Sequence, residues 1–324
     1  MNNKICITIG DINGIGIEIL LLLFKQKKIN NFILFTNKKI LEKCIKKNKF
    51  KFKINIINSN KRLIYKLNEL NIFDYKSNSN SENILKSIKN SYFFCKKYKQ
   101  KGIITLPVNK NIVSKYKKFS GHTEFFENLS NNKISNMIFI YNKFIISSLT
   151  THIRLKNLNI TLSKKNFVYN KIISLNKSLK NDFNISKPKI LISGINPHSG
   201  ENGLLGNEEK KYLIPQIKKI KKLKINITGP ISGDAMLNKK NIKKYDCFLF
   251  MFHDQALIPF KYISNYQGVN YTSNLDIIRV SPDHGTAYDL VGKNIASNKS
   301  MLNCFKIINK INRNQINCTK LKNH

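Results

Sequence analysis

Short uncharged runs rich in Ile and Phe alternate along this chain with stretches whose apolar residues recur at helical spacing, and this alternation predicts the architecture. Ile5 to Ile9 reads as a β-branched strand running into GDINGIGIE and an apolar helix from about Ile15. Phe32 to Thr36 and Phe52 to Ile57 read as strands with a Lys-rich helix between them. The Asn/Ser-rich stretch from Lys76 to Asn83 is a loop. It leads into a helix to Gln100 that keeps Ile84, Leu85, Ile88, Tyr92 and Cys95 on one face. Gly102 to Lys110 is a strand entering a loop, and SGHTEFFENL opens a helix that Ser120 or Thr123 caps. Met137 to Tyr141 and Phe144 to Thr150 predict a hairpin about Asn142 and Lys143. The strands in Lys189 to Glu209, Ile225 to Pro230 and Cys247 to Phe252 each end in a polar loop. The sum is an α/β protein of three layers, αβα, with a mostly parallel sheet covered by helices on both faces, and its 324 residues suggest two subdomains.

Composition narrows the function classes. The formal charge is +39, from 57 Lys and Arg against 18 Asp and Glu, which on its face suggests nucleic acid. The lysines are instead spread from end to end beside Asn and Ile, the pattern left by A/T-rich coding drift, and no basic stripe or module stands out. No nucleic-acid partner is expected. The six cysteines lie far apart with no CxxC pair, as reduced thiols of a cytoplasmic protein would. The longest apolar run, Ile19 to Phe24, is too short to span a bilayer, so no membrane association is expected.

Against this background the chemistry sits in islands. Five of the six His, five of the seven Pro and most of the Gly fall in loops after predicted strands or at helix starts. The densest island, MFHDQALIPFKY and VNYTSNLDIIRVSPDHGTAYDLVGK, places His253 and Asp254 at a strand's C-terminal end, where open α/β sheets bind ligands. His152, His198 and His253 form a candidate metal trio, since three neutral imidazoles leave open positions on a divalent ion. Gly10, Gly14 and Gly16 free backbone amides that read either as a plain strand-to-helix turn or as an anion cradle. Their spacing is not that of a dinucleotide fingerprint.

GDINGIGIE, PVNK, GHTEFF, TTHIRL, GINPHSGENGLLGNEE, GPISGDA, MFHDQALIPFKY and the segment ending DHGTAYDLVGK resemble, in order and spacing, the 4-hydroxythreonine-4-phosphate dehydrogenase family of vitamin B6 biosynthesis. The tail HGTAYDLVGKNIA also resembles the nucleotide-binding segment of isocitrate and isopropylmalate dehydrogenases, which implies their fold: two subdomains flanking an active-site cleft, residues 1–125 with 271–324 making the first and 126–270 the second. The resemblance implies that His152, His198 and His253 hold one divalent ion per subunit, Zn, Mg or Co. It implies that His122, Thr123, Lys261, Asn270 and Arg279 contact a small phosphorylated amino-acid substrate. The segment from His284 to Asn294, with Gly285, Thr286, Ala287, Asp289 and Gly292, would border NAD or NADP in the first subdomain. The sequence departs from the family at its first loop, where Ile9, Asn13 and Ile17 stand among the glycines.

The implied reaction oxidises the C3 hydroxyl of 4-phosphooxy-L-threonine and decarboxylates the product to 3-amino-2-oxopropyl phosphate. Asp234 and Asp254 are the candidate general bases, Asp234 first because it follows the strand-ending GP turn. The resemblance also implies a homodimer with the active site at the subunit interface, and we assign His253 to the partner of the subunit giving His152 and His198. Two alternatives share the fold: a dehydrogenase of a phosphorylated sugar acid, and an acyl-phosphate transferase. A basic binding module, marked by salt-sensitive binding to arbitrary DNA, is a third class.

Overall fold

The computed structural model describes residues 3–57, 63–114, 119, 121–130, 134–293 and 295–322. Ser120 and Asn294 lie outside the described residues. The strands are β1 (Ile5–Thr8), β2 (Phe32–Phe35), β3 (Ile54–Ile56), β4 (Leu70–Phe73), β5 (Gly102–Thr105), β6 (Asn136–Tyr141), β7 (Phe144–Ser148), β8 (Lys189–Ser193), β9 (Asn226–Ile231), β10 (Cys247–Phe250), β11 (Val269–Ser273) and β12 (Arg279–Pro282). The chain divides into two compact units, Met1–Asn131 with Asp276–Asn312, and Asn132–Leu275 with Arg313–His324.

In the first unit the strands run in the order β3, β4, β2, β1, β5, β12, and every described pairing is parallel. A parallel strand covered on both faces needs an unbroken apolar run, and β1, β2 and β5 are buried at every position. Helix Asn80–Lys97 packs on β1, β2 and β5. Its start is fixed by Ser79, whose hydroxyl accepts from the Glu82 amide at 3.1 Å, while the Glu82 carboxylate accepts from the Asn78 amide at 2.7 Å. β4 was not legible: LNIF is a short run beside a polar loop, and only its pairing with β2 and β3 makes it a strand.

In the second unit the order is β11, β6, β7, β10, β8, β9. The β6–β7 hairpin turns at Asn142, whose φ of 54° is the left-handed conformation that Asn tolerates. β11 adds antiparallel to β6, and the strands from β7 to β9 are parallel. Met137, Phe139, Ile146, Phe248, Phe250 and Phe260 pack one core between this sheet and helix His253–Ser264. Each unit is thus a mostly parallel sheet flanked by helices. Among the described residues, no helix is long and apolar enough to cross a membrane.

Candidate functional site

The second unit carries all three histidines of the expected metal trio. β10 ends at Phe250, and His253 and Asp254 open the next helix with Phe252 at its N-cap. His253 Nδ1 lies 2.7 Å from Asp254 Oδ1, and since a carboxylate accepts, the ring donates its Nδ1–H there and Nε2 is the nitrogen outside this bond. The His152 ring lies 5.5 Å from the His253 ring, centroid to centroid, beside a cavity lined also by Thr151, Leu155, Leu158 and Phe252.

His198 reaches the surface on an unusual backbone. His198, Ser199, Gly200, Glu201 and Asn202 all have positive φ, between 42° and 81°, a run of left-handed residues that L side chains resist. The carboxylate of Glu209, 2% exposed, over-determines this loop: Oε1 accepts from the amides of Ile195 and Asn196, both at 2.8 Å, and Oε2 from Asn196 Nδ2 at 3.0 Å. Gly194 lets the turn close, since a Cβ there would stand 2.6 Å from Ser199 Oγ. His198 faces Asp234, an exposed carboxyl held below its usual range chiefly by the Ser232 hydroxyl. That setting makes Asp234 a weaker proton acceptor than an ordinary carboxylate. Among the described residues, no three metal-type side chains of one chain meet at a point.

Also in this unit, Lys261 Nζ sits over the Tyr266 ring, 4.8 Å from its centroid. Asn270 lies on β11 with Oδ1 buried and without a hydrogen-bond partner among the described residues.

The first unit holds the other expected phosphate contacts. Arg279, first residue of β12, is 3% exposed, and its Nε and Nη2 donate to Thr105 Oγ1 on the neighbouring β5 at 3.0 and 2.6 Å. Burial lowers its pKa to about 10, so the guanidinium remains charged at neutral pH. His122 and Thr123 begin helix His122–Leu129, whose N-cap is Gly121; Thr123 is buried within the helix and does not cap it. The His122 imidazole is pushed well below its ordinary pKa by burial, then by the cations Arg279 and Lys110, and its Nε2 is buried with no partner among the described residues. Among the described residues, a ring kept from protonation thus stands with a buried, unbonded nitrogen near a buried guanidinium.

The expected cofactor segment is also in this unit. His284 Nδ1 lies 3.0 Å from Gly285 O, and a Cβ at Gly285 or Gly292 would meet nothing within 4 Å, which leaves room beside the loop. The first glycine loop is not an open anion cradle. Gly14 donates its amide to Asp11 O at 3.0 Å and Ile15 donates to Thr286 O at 2.9 Å, so those donors are already used. Ile9 and Ile17, where the loop departs from the family pattern, are both core residues. Sequence reasoning missed Thr105, Glu209, Asp11 and Glu18; the scarcity of acids, 18 in the whole chain, was the available signal for the last three.

The family model described as pyridoxal phosphate biosynthetic protein PdxA matches residues 28–308. A 4-hydroxythreonine-4-phosphate dehydrogenase from Sulfurihydrogenibium sp. is 36% identical over 315 residues, covering 94% of this chain and 97% of the relative. The relative of that name from Aquifex aeolicus is 35% identical, covering 95% of this chain and 98% of its own length. The crystal structure of the Klebsiella pneumoniae 4-hydroxythreonine-4-phosphate dehydrogenase superposes with a TM-score of 0.81 at 26% identity, over 97% of this chain and 99% of that one.

Proposed function

We infer the function from the fact that this chain belongs to the PdxA family, whose relatives are 4-hydroxythreonine-4-phosphate dehydrogenases. It is an oxidoreductase of pyridoxal phosphate biosynthesis, and its substrate is 4-hydroxythreonine 4-phosphate. The overall change is transfer of hydride from C3 to the nicotinamide nucleotide with loss of the proton of the C3 hydroxyl, then loss of carbon dioxide from the β-keto acid to give 3-amino-2-oxopropyl phosphate.

The observation that carries the substrate reading is the buried Arg279 guanidinium near His122, whose Nε2 is buried with no hydrogen-bond partner among the described residues. A fixed cation gives charge-assisted bonds to a phosphate, and Arg matches two of its oxygens at once. His122, kept neutral, adds a hydrogen bond without adding charge. Thr123, Lys261 and Asn270 complete the contacts that the family resemblance implies.

His152, His198 and His253 suit a divalent ion by donor type, and Asp254 orients the His253 ring for that task. Bound in the protein, the ion supplies Lewis acidity at the C3 oxygen and NAD or NADP supplies the hydride acceptor. The segment His284, Gly285, Thr286, Ala287, Asp289 and Gly292 borders the nucleotide. Asp254 is hydrogen-bonded to His253, so of the two candidate bases we take Asp234, near His198, which accepts a proton less readily than an ordinary carboxylate but stays ionised.

The working form is a homodimer. Large apolar side chains lie exposed on each segment that carries a metal histidine: Leu155 after His152, Leu204 after His198, and Ile258 and Tyr262 after His253. All six cysteines are free thiols, which suits the reducing cytoplasm. The test is nucleotide reduction by purified protein given 4-phosphooxy-L-threonine, with phosphorylated sugar acids as controls. Turnover of the sugar acids alone would overturn the substrate assignment.

A further inference from the structure

The segment assigned to the nucleotide is fastened to the first glycine loop at three points, all within the first unit. Ile15 N donates to Thr286 O at 2.9 Å, the Tyr288 hydroxyl donates to Asp11 Oδ2 at 2.5 Å, and Gly292 N donates to Glu18 Oε2 at 2.8 Å. Asp11 and Glu18 are 2% and 4% exposed, in a chain whose acids are few. A buried carboxylate is costly unless it is satisfied, and both are satisfied by this segment. Asp11 Oδ1 accepts in addition from the Asn13 amide at 3.0 Å, which fixes its rotamer. Glu18 lies in the first turn of helix Ile15–Lys25, where the helix end favours an anion. Gly14 brings the two loops into contact, since a Cβ there would meet Thr286 O at 2.9 Å.

We propose that Asp11 and Glu18, with Tyr288, are positioning residues for the nicotinamide nucleotide: they hold residues 286–292 in the conformation that receives it. The inference rests on the cofactor reading above. Between its anchors the segment makes a short 3₁₀ turn, Tyr288–Leu290, and leaves Asp289 exposed towards solvent, as is Gly285 just before the first anchor. Its shape therefore depends on the anchors and not on core packing. Losing one frees several backbone torsions, which binding the nucleotide must then order again.

The test compares Tyr288→Phe, Glu18→Leu and Glu18→Gln with wild type by fluorescence titration of NADH and NADPH in the absence of substrate, and by steady-state kinetics. Tyr288→Phe and Glu18→Leu are expected to weaken nucleotide binding about five- to tenfold, a part of the free energy of one hydrogen bond to a carboxylate, since the bond acts on the nucleotide only through the segment it holds. The KM for the nucleotide should rise by the same factor, while kcat and the KM for the phosphorylated substrate stay near wild type. Glu18→Gln keeps an acceptor oxygen for the Gly292 amide and should restore most of the affinity. A purely structural role would move both KM values and the melting temperature together. If Glu18→Leu fails to fold, Tyr288→Phe, changed on a half-exposed ring, decides alone. Wild-type protein that binds neither nucleotide would overturn the cofactor reading. Wild-type binding with unchanged affinity in Tyr288→Phe would overturn the positioning role and leave the cofactor reading intact.

Discussion

Arg279 Nη2 lies 2.6 Å from Thr105 Oγ1, so a fully buried cation on one strand is held by a hydroxyl on the next. Arg279→Ala is expected to raise the KM for the phosphorylated substrate by roughly 2 to 3 kcal/mol of lost binding, with little change in the KM for the nucleotide. Thr105→Val preserves volume and removes only the anchor, so its effect should be smaller, about 1 kcal/mol. Steady-state kinetics of both variants check this; an unchanged substrate KM in Arg279→Ala would give Arg279 another task.

His122 makes stability depend on pH. Its folded pKa lies well below the ordinary 6.5, so below that pH the unfolded chain binds a proton that the folded chain refuses. The contribution is fully present above about pH 6.5 and is lost as pH falls beneath it. His122→Asn should therefore flatten the fall in melting temperature between about pH 6.5 and 5. Parallel curves for wild type and variant would contradict the buried neutral ring.

Glu209 holds the left-handed loop that presents His198. Glu209→Gln keeps an acceptor for the two amides and should retain metal. Glu209→Leu removes it, and the variant should bind Zn or Co about ten- to a hundredfold more weakly by calorimetric titration, as expected when the support of a ligand is lost. Equal affinity in both variants would show that the loop holds itself.

How much of this was legible in the sequence depended on distance along the chain. The β6–β7 hairpin follows from local periodicity and turn residues and forms where the pattern places it, whereas the helix Asn80–Lys97 begins inside the stretch from Lys76 to Asn83 read as a loop, because Ser79 caps it there. The island from Met251 to Lys293 was read for its chemistry, and its strands β11 and β12 emerge only through pairing with β6 and β5, far off in sequence. The same holds for the site. A histidine after a strand is visible as a residue, whereas the support from Thr105 to Arg279, or from Glu18 to Gly292, spans 174 and 274 positions. The left-handed run at His198 was hidden for another reason: four of its five residues are not Gly, so composition gives no sign of it.

A metal site shared between two copies predicts complementation. Dimers of His198→Ala and His253→Ala, dissociated, mixed and reassociated, should recover about one quarter of full activity, since half the dimers are mixed and each has one intact site. His152→Ala mixed with His253→Ala tests which ring crosses. Recovery of about one quarter is expected if His253 comes from the partner. A dead mixture beside recovery in the first would mean that His152 and His253, 5.5 Å apart within one chain, serve the same site and that His198 crosses instead; two dead mixtures would mean that no ring crosses.

Oxidation coupled to decarboxylation fixes the stoichiometry of the products. Purified protein loaded with a divalent ion and given 4-phosphooxy-L-threonine and NAD or NADP should form reduced nucleotide, carbon dioxide and 3-amino-2-oxopropyl phosphate in equal amounts, and chelation should stop all three together. Reduced nucleotide without carbon dioxide, or full turnover in metal-free protein, would contradict the account.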